Sequence, residues 1–283
     1  MANLLDIRRR IRSVKNTQQI TKAMKAVSAA KLRRAQERVF ASRPYADQLR
    51  HVLGNLSTHT YNLAHPLLEV REQDRILLVI VTADRGLCGA FNSNISRAAY
   101  DFMRARPDQD VQLMAVGRKG RDYFRLREVP ILEEHINIFS KFDFEDARMI
   151  GRRIVDLYGD RETDAVYLAY NEFKSVLQQR IVVEPLLPLS SSEFDGQESQ
   201  VDYIYEQPPA TIFARMLPQY VDIQIHRALL ESVASEHGAR MTAMDTASRN
   251  AGEMIDTLTL TMNRIRQAAI TREIIEVVSG ASV

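Results

Sequence analysis

The most enzyme-like feature of this sequence is a glycine-bearing loop, residues 82–92 (TADRGLCGAFN), which follows an apolar run. A loop of this kind between a strand and a helix can bind a phosphate at the helix N-terminus. The spacing matches neither G-x-G-x-x-G nor G-x-x-x-x-G-K-[ST], and the loop contains no lysine. The alternative, which the spacing favours, is a tight strand-to-helix turn in which Asn92 or Ser93 caps the helix. A nucleotide-binding enzyme is therefore kept as an alternative hypothesis for the function of this chain.

Cysteine and histidine chemistry has little support. Cys88 is the single cysteine, so no internal disulfide forms, and a nucleophilic role would need a partner histidine. The six histidines show no metal-ligand spacing: His51, His59, His65, His135, His226 and His237. We predict no catalytic residue, no metal site and no bound cofactor.

Charge is concentrated at the N-terminal end of the chain. Residues 1–40 contain eleven lysines and arginines against Asp6 and Glu37, a net charge of +9, although the whole chain carries +2. Three interpretations stay open on composition: nucleic-acid binding by a basic coiled-coil scaffold, a solvated helix face, and an acidic protein partner. Few aromatic residues lie among these charges, which weakens the case for base stacking.

The basic segment has the periodicity of a long helix. Mostly apolar or small residues recur at alternating steps of four and three, the spacing of a helical seam, and the middle of this row is polar. A neighbouring row, Ile20, Ala23, Val27 and Ala30, predicts that the apolar surface changes face midway. The seam positions are Ile7, Ile11, Val14, Gln18, Thr21, Lys25, Ser28, Leu32, Ala35 and Val39.

The C-terminal third repeats this pattern after Pro208 and Pro209, which stand where a helix would begin. Two long seams at opposite ends of one chain predict an antiparallel two-helix coiled coil closed by the chain's own termini. The predicted seam consists of Met244, Ala247, Ala251, Met254, Leu258, Thr261, Ile265 and Ala268.

The middle of the chain has the character of an α/β domain. Continuous apolar runs alternate with amphipathic segments, which predicts a parallel sheet covered on both faces. No apolar run approaches the ~20 residues that span a bilayer. The predicted strands are 76–81, 111–117, 165–170 and 179–183, and the predicted helices are 93–106 and 144–158.

The predicted fold class is therefore α/β with a long α-helical coiled coil: an antiparallel pair formed by the N- and C-terminal segments, plus a central Rossmann-like domain. The predicted boundaries are 1–57 for the first helix, 75–205 for the α/β domain and 208–283 for the last helix.

The end of the last helix carries bulky apolar side chains around most of its circumference. Left in water, these would form an aggregation-prone patch. The pattern predicts a socket on another protein; the alternative is a tip folded back on the central domain. The residues are Ile270, Ile274, Ile275, Val277, Val278 and Val283.

Motifs at both ends of the chain resemble those of the gamma subunits of F-type ATP synthases. The resemblance covers essentially the whole chain, and the order of the two terminal motifs makes it specific. Ala83 and Met262 depart from the residues common in the family. The matching segments are 6–8, 11, 13–18 and 20–25, then 84–89, then 234–237, 239–241, 263–264, 266–268, 270–271, 273–274 and 280–281.

This resemblance implies a non-catalytic rotor shaft. The terminal coiled coil would stand inside a ring of alpha and beta subunits, and the α/β domain, with the epsilon subunit, would rest on the membrane ring of c subunits. Proton flow would turn the shaft and drive ATP synthesis, or ATP hydrolysis would drive proton pumping. Nucleotide would bind on alpha and beta, so neither a small-molecule substrate nor nucleic acid is implied. The expected location is the cytoplasmic face of a bacterial plasma membrane, as a peripheral protein.

The resemblance also implies which side chains meet the head. The apolar tip would sit in a sleeve at the top of the ring. Coupling contacts with beta would be made by Met24, Arg240, Gln267, Thr271 and Glu273.

Overall fold

The chain alternates helices and strands between two long terminal helices. The computed structural model describes residues 4–58, 65–140, 142–176, 178–190 and 205–281. Two single-turn 3-10 helices, Pro66–Leu68 and Ile138–Ser140, lie in the connections. The elements in chain order are α1 (Leu4–Thr58), β1 (Arg75–Val81), α2 (Phe91–Arg104), β2 (Asp110–Val116), α3 (Arg118–Arg125), β3 (Ile131–His135), α4 (Phe144–Gly159), β4 (Ala165–Phe173), β5 (Gln179–Leu187) and α5 (Pro209–Ala281).

The five strands form one sheet in the order β3-β2-β1-β4-β5. The pairs β1–β2, β1–β4 and β2–β3 are parallel, as the alternation of strands and helices predicts. The expectation that the last strand is also parallel is wrong, since β5 runs antiparallel to β4. Five residues, 174–178, join β4 to β5, and a parallel crossover needs a dozen or more.

Helix α3 and strand β3 were not predicted from the sequence. The strand Ile131–His135 carries two glutamates and is half-buried at best, as suits a strand at the edge of a sheet. The helix Arg118–Arg125 is eight residues long and largely charged. Neither has the continuous apolar run that identifies β1.

The sheet is buried on both faces, which explains the unbroken apolar run of β1. Alternate residues of a strand point to opposite faces. Leu77 and Val79 join one apolar cluster with α4 and parts of α1 and α5, whereas Leu78 and Ile80 join a second cluster with α2 and α3.

The chain divides into two compact units. One comprises residues 30–239 and contains the sheet; the other comprises residues 1–29 and 240–283. Each long helix therefore contributes to both units. The predicted domain limit at 205 falls beside residues 191–204, which lie outside the described residues, as does Val283.

The predicted seam of α1 is confirmed. All ten seam positions from Ile7 to Val39 are buried or half-buried, and the positions between them are mostly exposed. The expected change of face is wrong: Ile20 is 59% exposed and Val27 is 57% exposed, and Ala23 and Ala30 are exposed too. The polar middle of the seam is buried in its own right, because Thr21 and Ser28 are 8% and 3% exposed.

The predicted seam of α5 is correct at five of its eight positions, and Ala247, Leu258 and Ile265 among them are half-buried. Met244 and Ala251 are buried, but Met254, Thr261 and Ala268 are exposed, and Ile255 and Met262 are half-buried in place of the first two. Steps of three and of four both keep side chains on one face of a helix, so the seam passes through Ile255 and Met262 and still includes the predicted Leu258 and Ile265. The predicted combination of an α/β sheet with a long antiparallel helical pair is confirmed.

Candidate functional site

The loop after β1 is a closely packed turn. Asp84 Oδ1 accepts hydrogen bonds from the backbone N–H groups of Arg118 (3.0 Å) and Asn137 (2.9 Å). Thr82 Oγ1 accepts a bond from the Gly120 N–H (2.8 Å). At Gly117, where φ is 102°, a Cβ would lie 2.1 Å from the Thr82 carbonyl oxygen. The loop's polar groups thus hold the neighbouring turns in place.

The predicted helix cap in this loop is wrong. α2 begins at Phe91 with Ala90 as its N-cap, and no side chain caps it. Asn92 instead accepts a bond from the Ala83 N–H (2.9 Å) and donates one to Cys88 Sγ (3.1 Å). Cys88 itself is 1% exposed, so its thiol is sealed within the turn. This arrangement supports the structural interpretation of the loop over a phosphate site.

Metal-binding clusters are absent from the described residues. No group of three or more His, Cys, Asp and Glu side chains is placed to hold an ion there. None of the helices in the described ranges combines the length and hydrophobicity needed to cross a membrane.

The unit formed by residues 1–29 and 240–283 contains an antiparallel pair of helical segments. Lys25 Nζ lies 2.5 Å from Asp245 Oδ1, and Gln18 Nε2 donates to the Ser248 carbonyl (3.2 Å). The bond from Lys25 lowers the pKa of the Asp245 carboxyl. A Cβ on Gly252 would lie 3.1 Å from Gln18 Nε2, so the Gln18 amide would have to shift by a few tenths of an ångström to admit it.

In this register, none of the described residues of α1 lies level with the end of α5. Residues 18 and 25 face residues near 250 and 245, so the first described residue of α1, Leu4, lies level with roughly residue 265. α5 continues to Ala281, about 15 residues or ~22 Å further at 1.5 Å per residue. Every described side chain from 266 to 280 is exposed.

The apolar residues of this overhang, residues 266–281, are the predicted tip residues. Their exposed fractions are 47–72%, which is unusual for large aliphatic side chains on a helix. Spacings of four place three of them on one face. The five are Ile270 (47%), Ile274 (58%), Ile275 (58%), Val277 (72%) and Val278 (63%).

Three of the predicted coupling residues lie on the same overhang and are exposed: Gln267, Thr271 and Glu273. Gln267 precedes Ile274 by seven residues, and Thr271 precedes Val278 by seven. Two helical turns separate the members of each pair, so these polar groups stand on the face that carries the apolar ones. The overhang therefore presents an amphiphilic surface.

The other two predicted coupling residues lie elsewhere in this unit. Arg240 precedes Gln267 by 27 residues on α5, a separation of about 40 Å along the helix. Its side chain is 8% exposed, and Met24 is half-buried near the level of Asp245. The structure thus brings Gln267, Thr271 and Glu273 together and leaves Met24 and Arg240 apart from them.

The basic residues of α1 in this unit are mostly exposed. Arg8, Arg9, Arg10 and Arg12 are exposed, and the apolar Ile20 and Val27 are exposed further along the same helix. A surface that is both cationic and apolar suits an acidic protein partner better than a nucleic acid, because phosphate contacts need no apolar groups.

Comparison with known proteins points to one family. A family model described as ATP synthase matches residues 3–283. A protein of Solibacter usitatus named ATP synthase gamma chain is 56% identical, covering 100% of this chain and 99% of its own. A protein of Pelotomaculum thermopropionicum with the same name is 48% identical, with the same coverage.

Solved structures show the same fold. A chain from the central stalk and c-ring of the Tetrahymena thermophila mitochondrial ATP synthase is 27% identical, with a TM-score of 0.63; the match covers 81% of this chain and 99% of that one. A chain from the rotor of the Euglena gracilis mitochondrial enzyme gives a TM-score of 0.68 at 17% identity, covering 94% and 98%.

Proposed function

Since this chain belongs to the ATP synthase gamma chain family, we propose that it is the central rotor shaft of a proton-translocating F-type ATP synthase. It transmits rotation of a membrane ring of c subunits to a head of alpha and beta subunits and so drives ATP synthesis. In reverse, ATP hydrolysis turns the shaft and pumps protons. Its task is mechanical, and the chemistry belongs to its partners.

The observation that carries this proposal is the overhang of α5. An exposed helix end with five bulky aliphatic side chains is costly in water unless another protein covers it. Burying such a side chain contributes about 1.5–3 kcal/mol relative to leaving it exposed. A sleeve in the alpha and beta head supplies that cover, and an aliphatic surface turns within it without hydrogen bonds to break.

Coupling requires contacts that differ between orientations of the shaft. A contact made in one orientation and lost in the next biases which conformation each catalytic site adopts. The exposed Gln267, Thr271 and Glu273 are suited to this task because their polar groups reach outward beside the apolar face. We assign Met24 and Arg240 to a second contact region with beta.

The burial of Arg240 changes what its replacement is expected to do. Its side chain is 8% exposed, so an alanine there removes contacts within this chain as well as any contact with beta. Gln267 is exposed, and its replacement tests coupling more cleanly.

The remaining partners follow from the same proposal. The α/β domain meets the epsilon subunit and the membrane c-ring, and the chain is a peripheral protein on the cytoplasmic face of a bacterial plasma membrane. The exposed basic face of α1 meets acidic loops of beta.

The chain binds no nucleotide in this proposal, because polar side chains of the loop at 82–92 already form hydrogen bonds with backbone N–H groups of the chain itself. Calorimetry of the purified chain with ATP tests this. We expect no saturable heat. Micromolar binding that Gly86→Val abolishes would favour the enzyme hypothesis, and the valine is sterically acceptable since the nearest neighbour of a Cβ there is Lys119 Cε at 3.8 Å.

Rotation itself is testable with a single label. Leu126 is 82% exposed, and the native Cys88 is 1% exposed, so Leu126→Cys provides one accessible thiol for a bead. In a complex with surface-fixed alpha and beta subunits, we expect ATP to drive rotation of the bead in one direction. ATP hydrolysis with a stationary bead would overturn the proposal. The unmodified chain, whose thiol is buried, controls for attachment elsewhere.

A further inference from the structure

A cavity of about 640 Å³ lies between α1 and α5 in the unit formed by residues 30–239. This volume is within the range of small-molecule sites, about 300–1,000 Å³. The rotor function uses none of its residues.

One face of each helix forms the walls. Val39, Arg43, Ala46 and Arg50 follow one another at steps of four, three and four on α1. Such steps keep side chains on one side of a helix. Ile223, Arg227 and Leu230 do the same on α5, so an apolar floor alternates with guanidinium groups.

The lining contains three carboxylates, and two of them already have hydrogen-bond or ion-pair partners within this chain. Glu172 is paired with Lys174 (2.8 Å) and Arg180 (2.9 Å). Glu231 accepts a bond from the Phe173 N–H (3.0 Å) and lies 4.0 Å from Arg43. These two groups therefore add little negative potential to the cavity.

Arg50 and Arg227 are less well compensated. Arg50 lies 3.9 Å from Asp47, an exposed carboxylate, and such a pair contributes little. Within the described ranges, Arg227 has no carboxylate within 4.0 Å; its guanidinium bonds to the Gln224 amide at 3.5 Å. Arg50, Gln224 and Arg227 also line an adjoining cavity of about 390 Å³, so they stand where the two cavities meet. Glu184 lines that second cavity too, and its carboxylate accepts a hydrogen bond from the Tyr170 hydroxyl (3.0 Å).

We propose that this site binds a small amphiphilic anion. The anionic head bonds to Arg50 and Arg227, which suit oxyanions because a guanidinium presents paired donors. The apolar body lies on Val39, Ala46, Ile223 and Leu230. A fully hydrated anion such as phosphate gains nothing from that floor, and an apolar molecule without charge leaves the two guanidinium groups unmatched.

The chain offers a clean reporter for this site. It contains no tryptophan, and Tyr45, which lines the cavity, is 60% exposed. In the full-length chain carrying Tyr45→Trp, dodecanoate added below its micellar concentration is the probe. We expect a saturable change in tryptophan emission, with dodecyltrimethylammonium, the cation of equal chain length, binding at least tenfold more weakly.

Variants on the Tyr45→Trp background separate the head from the floor. Arg227→Gln is expected to weaken dodecanoate binding at least tenfold, as loss of a charge-assisted bond implies. Ala46→Phe fills the floor and abolishes binding even if Arg227→Gln disturbs the fold. Arg104→Gln, an exposed arginine on α2, is the matched control and leaves binding unchanged.

Three results would overturn the proposal: no saturable signal, equal binding of anion and cation, or equal weakening by Arg227→Gln and Arg104→Gln. A signal produced by an amphipathic acidic peptide but not by dodecanoate would assign the cavity to a protein partner instead.

Discussion

Strand β1 and the overhang of α5 contain the same aliphatic residue types, but these are buried in β1 and exposed in the overhang. The six residues from Ile76 to Val81 are at most 1% exposed, whereas Ile274 is 58% exposed and Val277 is 72% exposed. Residue type alone therefore does not separate side chains that pack in the core from side chains that stay exposed on the chain. The surroundings of each segment make the difference: β1 has neighbours on both faces, and the overhang extends past the segment of α1 that pairs with α5.

The largest expected effect is on the stability of the core. Leu78→Ala removes a side chain that is 0% exposed, and we expect the free energy of unfolding to fall by about 2–5 kcal/mol. Ile274→Ala removes a similar volume from the overhang and should change the same quantity by less than about 0.5 kcal/mol. Urea unfolding of the isolated chain measures both. Equal losses would mean that the overhang is buried in the folded chain.

Glycine offers a second comparison, between helix α4 and the overhang. A Cβ at Gly151 would lie 2.0 Å from Asp222 Oδ1, so Gly151→Ala should destabilise by about 1–3 kcal/mol despite the better helix propensity of alanine. At Gly280 nothing lies within 4 Å of the added Cβ, so Gly280→Ala should be neutral or stabilise by at most about 1 kcal/mol. Thermal unfolding distinguishes the signs. Stabilisation by Gly151→Ala would show that Asp222 moves aside easily.

Asp222 makes the core pH-dependent. Burial raises the pKa of its carboxyl to about 6, Arg148 and Arg152 oppose this, and Glu145 adds to it. A pKa above the unfolded value means that the folded chain holds the proton more tightly. The resulting stability is present at low pH and is lost as pH rises through about 6.

Removing this group should therefore flatten the pH profile. Asp222→Asn is expected to stabilise the chain at pH 7.5 by about 1–2 kcal/mol and to make no gain near pH 4. The matched control is Asp108→Asn, an exposed carboxyl, which should leave the profile unchanged. Unfolding free energies at several pH values provide the measurement, and parallel profiles for the wild type and Asp222→Asn would contradict the assignment.

The smallest expected effect belongs to the helical pair. Lys25 and Asp245 have side chains that are 44% and 37% exposed, so their ion pair should contribute about 0–1 kcal/mol. A double-mutant cycle of Lys25→Met and Asp245→Asn at low salt measures the coupling. A value above about 2 kcal/mol would indicate that this pair, rather than the seam, holds the two helices together.

The sequence predicted the features that repeat. The seam of α1 recurs over ten positions, and the apolar run of β1 is continuous, so both were predicted correctly. Where two adjacent rows were both acceptable, as at Met254 and Ile255, the choice depended on the register against the partner helix, which no local pattern encodes. The exposed residues of the overhang were identifiable from the sequence because bulky apolar side chains surround most of the helix end.

Features built from distant residues were not predictable. Asn92 was predicted as a helix cap, but its side-chain amide forms hydrogen bonds with Ala83 and Cys88 across the turn. Arg50 and Arg227 are 177 positions apart in the sequence, and the fold places them at one cavity. The burial of Arg240 is similarly a property of the packed chain.

The most direct test of the account compares stability and coupling in one variant. Ile270→Ser combined with Ile274→Ser makes the overhang polar, and Val70→Ser alters a valine that is 80% exposed in the unit formed by residues 30–239 as a control. The unfolding free energy of the isolated chain and the ATP-driven rotation of its complex with alpha and beta subunits are measured for each. We expect the double variant to keep wild-type stability and to lose torque or coupled ATP turnover, while the control retains both. Wild-type rotation and coupling in the double variant would contradict the claim that the exposed end of α5 exists to meet the head.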